Sequence, residues 1–252
     1  MAKPDERGVI RSLRKQERAY RTALKKVVDI PILSGFAEGL SDASTLAVAI
    51  EQGVIAAQEN LAKTLQTEGA EMVDQHFIKL SAQHKATFIK RFQRMVRVDV
   101  GPLLKSGPIA QALDTRIAVN VDLIKLIGKE HLPKVAADVQ KKLKERPFDR
   151  AYMSEYFEEQ WKYKDYRLRR IARDQTSKSI AEFNQIRQVQ LGIESFQWLA
   201  IVDSRTRDTH KALNGREFYW NNPPGIGLPG AEIQCRCVAI PIIPDVIAKR
   251  KT

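Results

Sequence analysis

The chain has 252 residues, 43% of them hydrophobic, and a net charge of +12. It is long enough for one large or two modest domains with a sizeable core. No apolar run approaches the roughly 18 residues needed to cross a bilayer. The opening Met-Ala-Lys-Pro-Asp-Glu-Arg lacks the apolar stretch of a secretory signal, and two cysteines one residue apart make no disulfide framework. A protein folding in a reducing cytoplasm is expected. Its cationic excess points to a polyanionic partner, nucleic acid or an acidic protein surface.

Residues 1–26 hold nine basic side chains against three acidic ones (Asp5, Glu6, Glu17), so half of the net charge lies in a tenth of the chain. Arg7, Arg11, Arg14, Arg18, Arg21 and Lys25 recur at steps of four and three, which puts them on one helical stripe. Val9, Leu13, Tyr20, Leu24 and Val27 form a second stripe about 120° away. A helical arm over residues 1–35 is expected, packed on one face and basic on the other. The basic face serves either as a contact for DNA or an acidic partner, or as a solvated surface.

Residues 36–100 are rich in Ala, Leu and Gln. Ala47, Ile50, Val54, Ala57, Leu61 and Leu65 keep helical spacing, with breaks expected at Gly53 and Gly69. Gly101-Pro102 and Gly107-Pro108 mark a further break. The stretch 109–145 reads as helix in two pieces, stopping near Gly128 and restarting at His131-Leu132-Pro133, with Leu132, Val135, Val139 and Leu143 on one face. A long helix covers much of 150–191. Its buried stripe is Leu168, Ile171, Ala172, Phe183, Ile186 and Val189, and its exposed face Lys162, Lys164, Arg167, Arg169, Arg170 and Arg173. Gly192 is placed to end it.

After Gly192 the period changes. Phe196, Trp198 and Ala200 alternate with Gln197, Leu199 and Ile201, a strand signal ending at Asp203. Cys237 to Ile243 reads as a second strand, at an edge because Pro241 interrupts it. The fold class expected is α+β: a mostly α-helical body over 36–191 and a small C-terminal α+β module over 192–252, with short strands around a Pro/Gly loop.

Chemistry-bearing residues concentrate in that module. Asp203, His210, Cys235 and Cys237 are all zinc-ligand types. Two readings fit them: a zinc site, or no cofactor and two reduced thiols packed as small hydrophobes. In Asp203-x-Arg205-x-Arg207-x-x-His210, an enzyme would use His210 as a base and the arginines as phosphate clamps. The structural alternative is that Asp203 caps the following turn while the arginines pair. No phosphate-cradling loop, nucleophile elbow or His-Glu-x-x-His is present. His76, His84 and His131 read as ordinary helical residues. The run Trp161-Lys162-Tyr163-Lys164-Asp165-Tyr166-Arg167 either stacks on bases or buries its aromatic face.

Taken in order, these motifs resemble the phage Mu F-like head morphogenesis proteins over roughly residues 118–243. Asn120-Val121-Asp122-Leu123-Ile124-Lys125 and Ile171-Ala172-Arg173-Asp174-Gln175-Thr176 match the family's helical motifs. Asn184 and Gly192 follow, then Trp198, Asp203, Arg205, Arg207, His210, Gly215, Pro229-Gly230 and Cys235-Arg236-Cys237. The resemblance implies a minor head protein and not an enzyme. Such a protein is a low-copy virion component, in the head interior or near the portal, and in the host cytoplasm during assembly. Its implied partners are the portal protein, the major capsid or scaffold protein, and double-stranded DNA, with no membrane. Arg7, Arg11, Arg14, Arg18, Arg21, Lys25, Arg167 and Arg170 are the expected DNA contacts. The alternative is a nuclease or toxin-like transferase centred on Asp203, Arg205 and His210.

Overall fold

The computed structural model describes the backbone of residues 6–41, 45–145 and 150–243. Among them are seven α-helices and a three-stranded antiparallel sheet, the α+β class expected. The helices are α1 (Glu6–Ser41), α2 (Leu46–Gln66), α3 (Glu68–Val96), α4 (Gly107–Leu126), α5 (Leu132–Glu145), α6 (Arg150–Gln190) and α7 (Asp208–Ala212). The strands are β1 (Ser195–Leu199), β2 (Glu217–Tyr219) and β3 (Val238–Pro241). The chain divides into two compact units. One gathers Met1–Glu17, Phe77–Arg116 and Arg173–Thr252, and the other Arg18–His76 and Ile117–Ala172. The partition into 1–35, 36–191 and 192–252 follows chain order, whereas these units draw on distant segments.

In the second unit the apolar stripes pack as their spacing requires. Tyr20, Leu24 and Val27 of α1 and Ile50, Val54, Ala57, Leu61 and Leu65 of α2 are buried; the side chains of Arg7, Val9 and Ala47 lie outside the described residues. Thr45 caps α2 by accepting the Val48 N–H at 3.3 Å. Gly53 does not break α2. A Cβ there would stand 2.8 Å from Phe36 Cδ1, so glycine serves the close approach of α1. The joint between α2 and α3 falls at Thr67. Nor does the helix stop near Gly128. A π-helical turn, Ile127–His131, carries α4 into α5, and the Gly128 carbonyl accepts from Gln58 Nε2 at 2.9 Å.

Lys164, expected on an exposed face, is 2% exposed. Its ammonium bonds the Asp29 carboxylate, lies 3.7 Å from Asp165, and stands 3.1 Å above the Trp161 ring. Asp165 also takes Lys25 at 3.0 Å and Arg21 at 3.6 Å. The basic stripe of α1 is therefore divided. Arg11, Arg14 and Arg18 are exposed, while Arg21 and Lys25, expected as DNA contacts, are half-buried and spent on an acidic pair. Tyr20 stacks on His76 with centroids 4.3 Å apart and donates to Asn120 Oδ1 at 2.7 Å.

In the first unit Phe88, Phe92, Val96, Val100 and Leu104 form a core with Ile193. Gly192 (φ 72°) ends α6 as expected: the Ile193 N–H donates to the Gln188 carbonyl at 3.0 Å and the Gly192 N–H to Val189 at 2.9 Å. The buried face of α6 departs from the expected stripe. Val189 is 52% exposed, whereas Thr176, Ser177, Ser179, Asn184, Arg187 and Gln188 are buried. Arg187 donates to the carbonyl and hydroxyl of Ser81, both at 3.0 Å, and rests against the His84 ring. The strand order is β2-β1-β3, so β3 lies at an edge as Pro241 demanded. β2, unread in the sequence, pairs with β1 through Phe196 and Phe218.

Burial lowers the Lys164 pKa, and the Asp29 and Asp165 carboxylates oppose that shift. Lys164→Ala strands two carboxylates. It should cost ~2–3 kcal/mol, below the ~3–5 kcal/mol of a fully enclosed pair because Lys25 and water partly compensate. The urea midpoint measures this, and a loss under about 0.5 kcal/mol would reduce the cluster to a surface ion pair.

Candidate functional site

The C-terminal module is built around β1. Its alternation points Phe196 and Trp198 inward, both 0% exposed. Phe196 meets Trp220 with centroids 4.3 Å apart, and Trp198 stands edge-on to His210 at 5.6 Å. Gly215 (φ 80°) closes the connection into β2: its N–H donates to the Trp198 carbonyl at 2.8 Å, and Trp198 N–H to Arg216 at 2.8 Å. Asn214 Oδ1 accepts the Ala200 N–H at 2.8 Å.

Helix α6 supplies the surface on which the cysteine segment sits. Asn184 Nδ2 and Gln188 Nε2 both donate to the Ala239 carbonyl, at 2.7 and 3.1 Å. Asp174 Oδ1 accepts the N–H of Gln234, which has a left-handed backbone (φ 60°), at 2.9 Å. Gly230 (φ 89°) approaches so closely that a Cβ would lie 2.7 Å from that of Ala181.

The signature arginines act as struts. Arg236 grips Asp203 through paired bonds of 2.6 and 2.7 Å. Asp203 also accepts the Arg205 N–H at 3.0 Å and the Thr206 hydroxyl at 3.2 Å, so it caps the turn. Arg207 spans to Glu232 at 2.8 Å and to the Ile233 carbonyl at 2.7 Å. Arg173 reaches Glu17 at 3.7 Å and Gln234 Oε1 at 3.3 Å. Burial raises the Glu17 pKa against the pull of Arg173 and Arg236.

His210 is 3% exposed, and both cysteines are buried and free. Its Nδ1 lies 3.4 Å from Cys235 Sγ and 3.4 Å from Cys237 Sγ, and its Nε2 lies 2.8 Å from Glu232 Oε2. These three residues are the group whose donor atoms converge among the described residues, all within 4.8 Å. Asp203, expected as a fourth ligand, is not among them, because Arg236 occupies both its oxygens. Cys235 Sγ accepts from the Gly230 and Cys237 N–H groups and the Cys237 thiol, which favours its thiolate. That neighbouring charge, with burial, pushes the Cys237 thiol up. The cysteines pack inward and also face a common nitrogen. Of the residues in the alternative enzyme reading, Asp203 is held by Arg236 and His210 Nδ1 faces the two sulfurs, while Arg205 and His210 line one cleft. Glu232 was missed because nothing in its spacing ties it to His210.

Of the expected DNA contacts on α6, Arg167 is half-buried and 3.8 Å from Glu130, while Arg170 is exposed and stacks on Tyr166 with 5.7 Å to the centroid. Tyr163 and Tyr166 are 51% and 50% exposed, with Lys162 and Arg169 also exposed beside them.

Residues 134–240 match the family described as Phage Mu protein F like protein. An uncharacterized protein of Haemophilus influenzae (strain ATCC 51907 / DSM 11121 / KW20 / Rd) is 30% identical over 188 residues, 73% of this chain. The chain spans 42% of that relative's length. No solved structure matches.

The guanidinium of Arg236 holds the Asp203 carboxyl well below its ordinary 3.8. A depressed folded-state pKa stabilises above the unfolded value and is lost as pH falls through the folded one. Asp203→Asn should therefore lower stability at pH 7 by on the order of 1–2 kcal/mol, with the partial exposure of Asp203 limiting the loss. The gap to the unsubstituted protein should narrow below about pH 4. Denaturation at both pH values measures it, and a gap that widens in acid would refute the strut.

Proposed function

We propose that this chain, Mu F-like over residues 134–240, is a phage head morphogenesis protein and a minor component of the virion. The observation that carries the reading is the coincidence of family match and geometry. Arg173, Trp198, Asp203, Arg207, His210, Gly215, Cys235, Arg236 and Cys237 all serve one folded module. Residues committed to ion pairs and buried packing suit an assembly part better than a catalyst. The proposed partners are the portal protein and the major capsid or scaffold protein, met during assembly in the host cytoplasm.

DNA contact is a second element of the proposal. Two exposed cationic surfaces support it. One is the α1 face with Arg11 and Arg14, and the other is the α6 face where Lys162, Arg169 and Arg170 accompany two exposed tyrosines. Phosphate contact by the cations and stacking on the rings give sequence-indifferent binding. Arg21, Lys25 and Arg167 leave the proposed contact set because they are half-buried against carboxylates, whereas Lys162, which also pairs with Glu158, stays exposed.

Quantitative mass spectrometry on procapsids and virions of the source phage should find the protein at low copy in both, and absence from both would overturn the head reading. In solution, DNA affinity should fall steeply with salt. Arg11→Ala/Arg14→Ala and Lys162→Ala/Arg169→Ala should each flatten the log–log slope by about 0.9 for every phosphate that is no longer neutralised. A slope unchanged in both variants would remove these surfaces from the DNA reading.

A further inference from the structure

The arrangement around His210 resembles a metal site more closely than a packed core. A tetrahedral ion with zinc–sulfur bonds of about 2.3 Å and zinc–nitrogen bonds of about 2.0–2.1 Å sets its N···S edges near 3.5–3.6 Å. Both edges here measure 3.4 Å. Two thiols gathered at one imidazole nitrogen need no such equality if they only fill space. The surroundings carry the same sense. The Glu232 carboxylate, 2.8 Å from Nε2, assigns the ring proton to that nitrogen and leaves the Nδ1 lone pair aimed at the sulfurs. Arg207 holds Glu232 in place at 2.8 Å. Backbone N–H groups of Gly230 and Cys237, at 3.3 and 3.5 Å, point at Cys235 Sγ as they would at a metal-bound thiolate.

We propose that His210 Nδ1, Cys235 Sγ and Cys237 Sγ bind one zinc ion whose fourth position opens into the adjoining cleft. That cleft, about 80 Å³ and bounded by Ile201, Arg205, Thr206 and Arg207, is lined by the three ligands themselves. It admits water as the fourth ligand. Asp203 has no part in the coordination, because Arg236 holds it. The ion ties α7 to the segment before β3, two parts of the module well separated in sequence. The inference stands on side-chain geometry and does not rest on the head-protein reading.

The test uses the full chain purified without chelator under reductant. Elemental analysis should find about one zinc per chain. Cobalt(II) substitution should give a thiolate-to-metal charge-transfer band and the strong visible bands of a tetrahedral ion. Cys235→Ser, Cys237→Ser and His210→Gln should each lower zinc affinity at least about tenfold. Since the ligand variants can fail to fold, the second measurement removes the metal from the native chain. Chelation should lower the melting temperature, and zinc but not magnesium should restore it. Metal content below about one tenth per chain after reconstitution with zinc would overturn the proposal. So would a Cys235–Cys237 disulfide found in intact mass under the same conditions.

Discussion

The constraint on which the C-terminal module depends is the polar face of α6. A helix that buries the side-chain amides of Asn184 and Gln188 must pair their donors, since an unpaired buried amide costs more than a formed bond returns. The chain meets this by laying its cysteine segment against that face. One carbonyl, that of Ala239, receives two amide donors from the helix, and Asp174 takes the N–H of Gln234. Small residues make the approach close enough. Ala181 and Ser177 flank Gly230, where no side chain fits. With the backbone of 230–239 fixed to a rigid helix, the directions of Cys235, Arg236 and Cys237 follow.

Arginine does two kinds of work in this chain, and burial separates them. Arg187 is buried and the Arg236 side chain is 12% exposed, and each forms a fork of hydrogen bonds that a lysine could not reproduce. They close contacts between segments distant in sequence. Arg11, Arg14, Arg169 and Arg170 remain at the surface, where their charge reaches solvent and any polyanion in it. A net charge of +12 is therefore not a uniform coat. Part of it is internal scaffolding, and the remainder lies at the surface. The same sorting splits the α1 stripe, whose regular spacing in sequence hides the acidic pair Asp29 and Asp165 that claims its C-terminal end.

Apolar periodicity was legible because every helix and strand must bury one face, and the spacing records it. Tyr20, Leu24, Val27, Ile50, Val54 and Leu61 all pack where their steps of three and four put them. Gly192 and Pro241 were legible for the same local reason: one requires positive φ and the other lacks a donor. What could not be read is pairing across the chain. Lys164 looks solvent-facing until Asp29, 135 residues away, is brought to it. Val189 yields its place to Arg187 because Ser81 and His84 offer acceptors that no local pattern announces. Gly53 reads as a breaker only when the neighbour it accommodates, Phe36, is unknown. In the site, the four zinc-ligand types were visible but their grouping was not. Asp203 was set apart by Arg236, and Glu232 was joined to His210 by the fold alone.

The Cys-x-Cys tripeptide brings both thiols to His210 by a turn that lies ahead of it. Zinc fingers commonly place two residues between paired thiolates so that a tight turn aims both at one ion. In this module the turn lies before the pair and not within it. Gly230 and Gln234, both with left-handed backbones, bend the chain ahead of Cys235. Residues 235–237 then lead without regular structure into β3, and the thiols of the first and third both meet His210. Arg236, between them, points the opposite way and is free to grip Asp203. One short segment thus gives sulfur to the interior and a guanidinium to the 203–206 turn. Exchanging the order of these residues would reverse both assignments, so the tripeptide works as a unit, with the arginine fixing the orientation that the cysteines require.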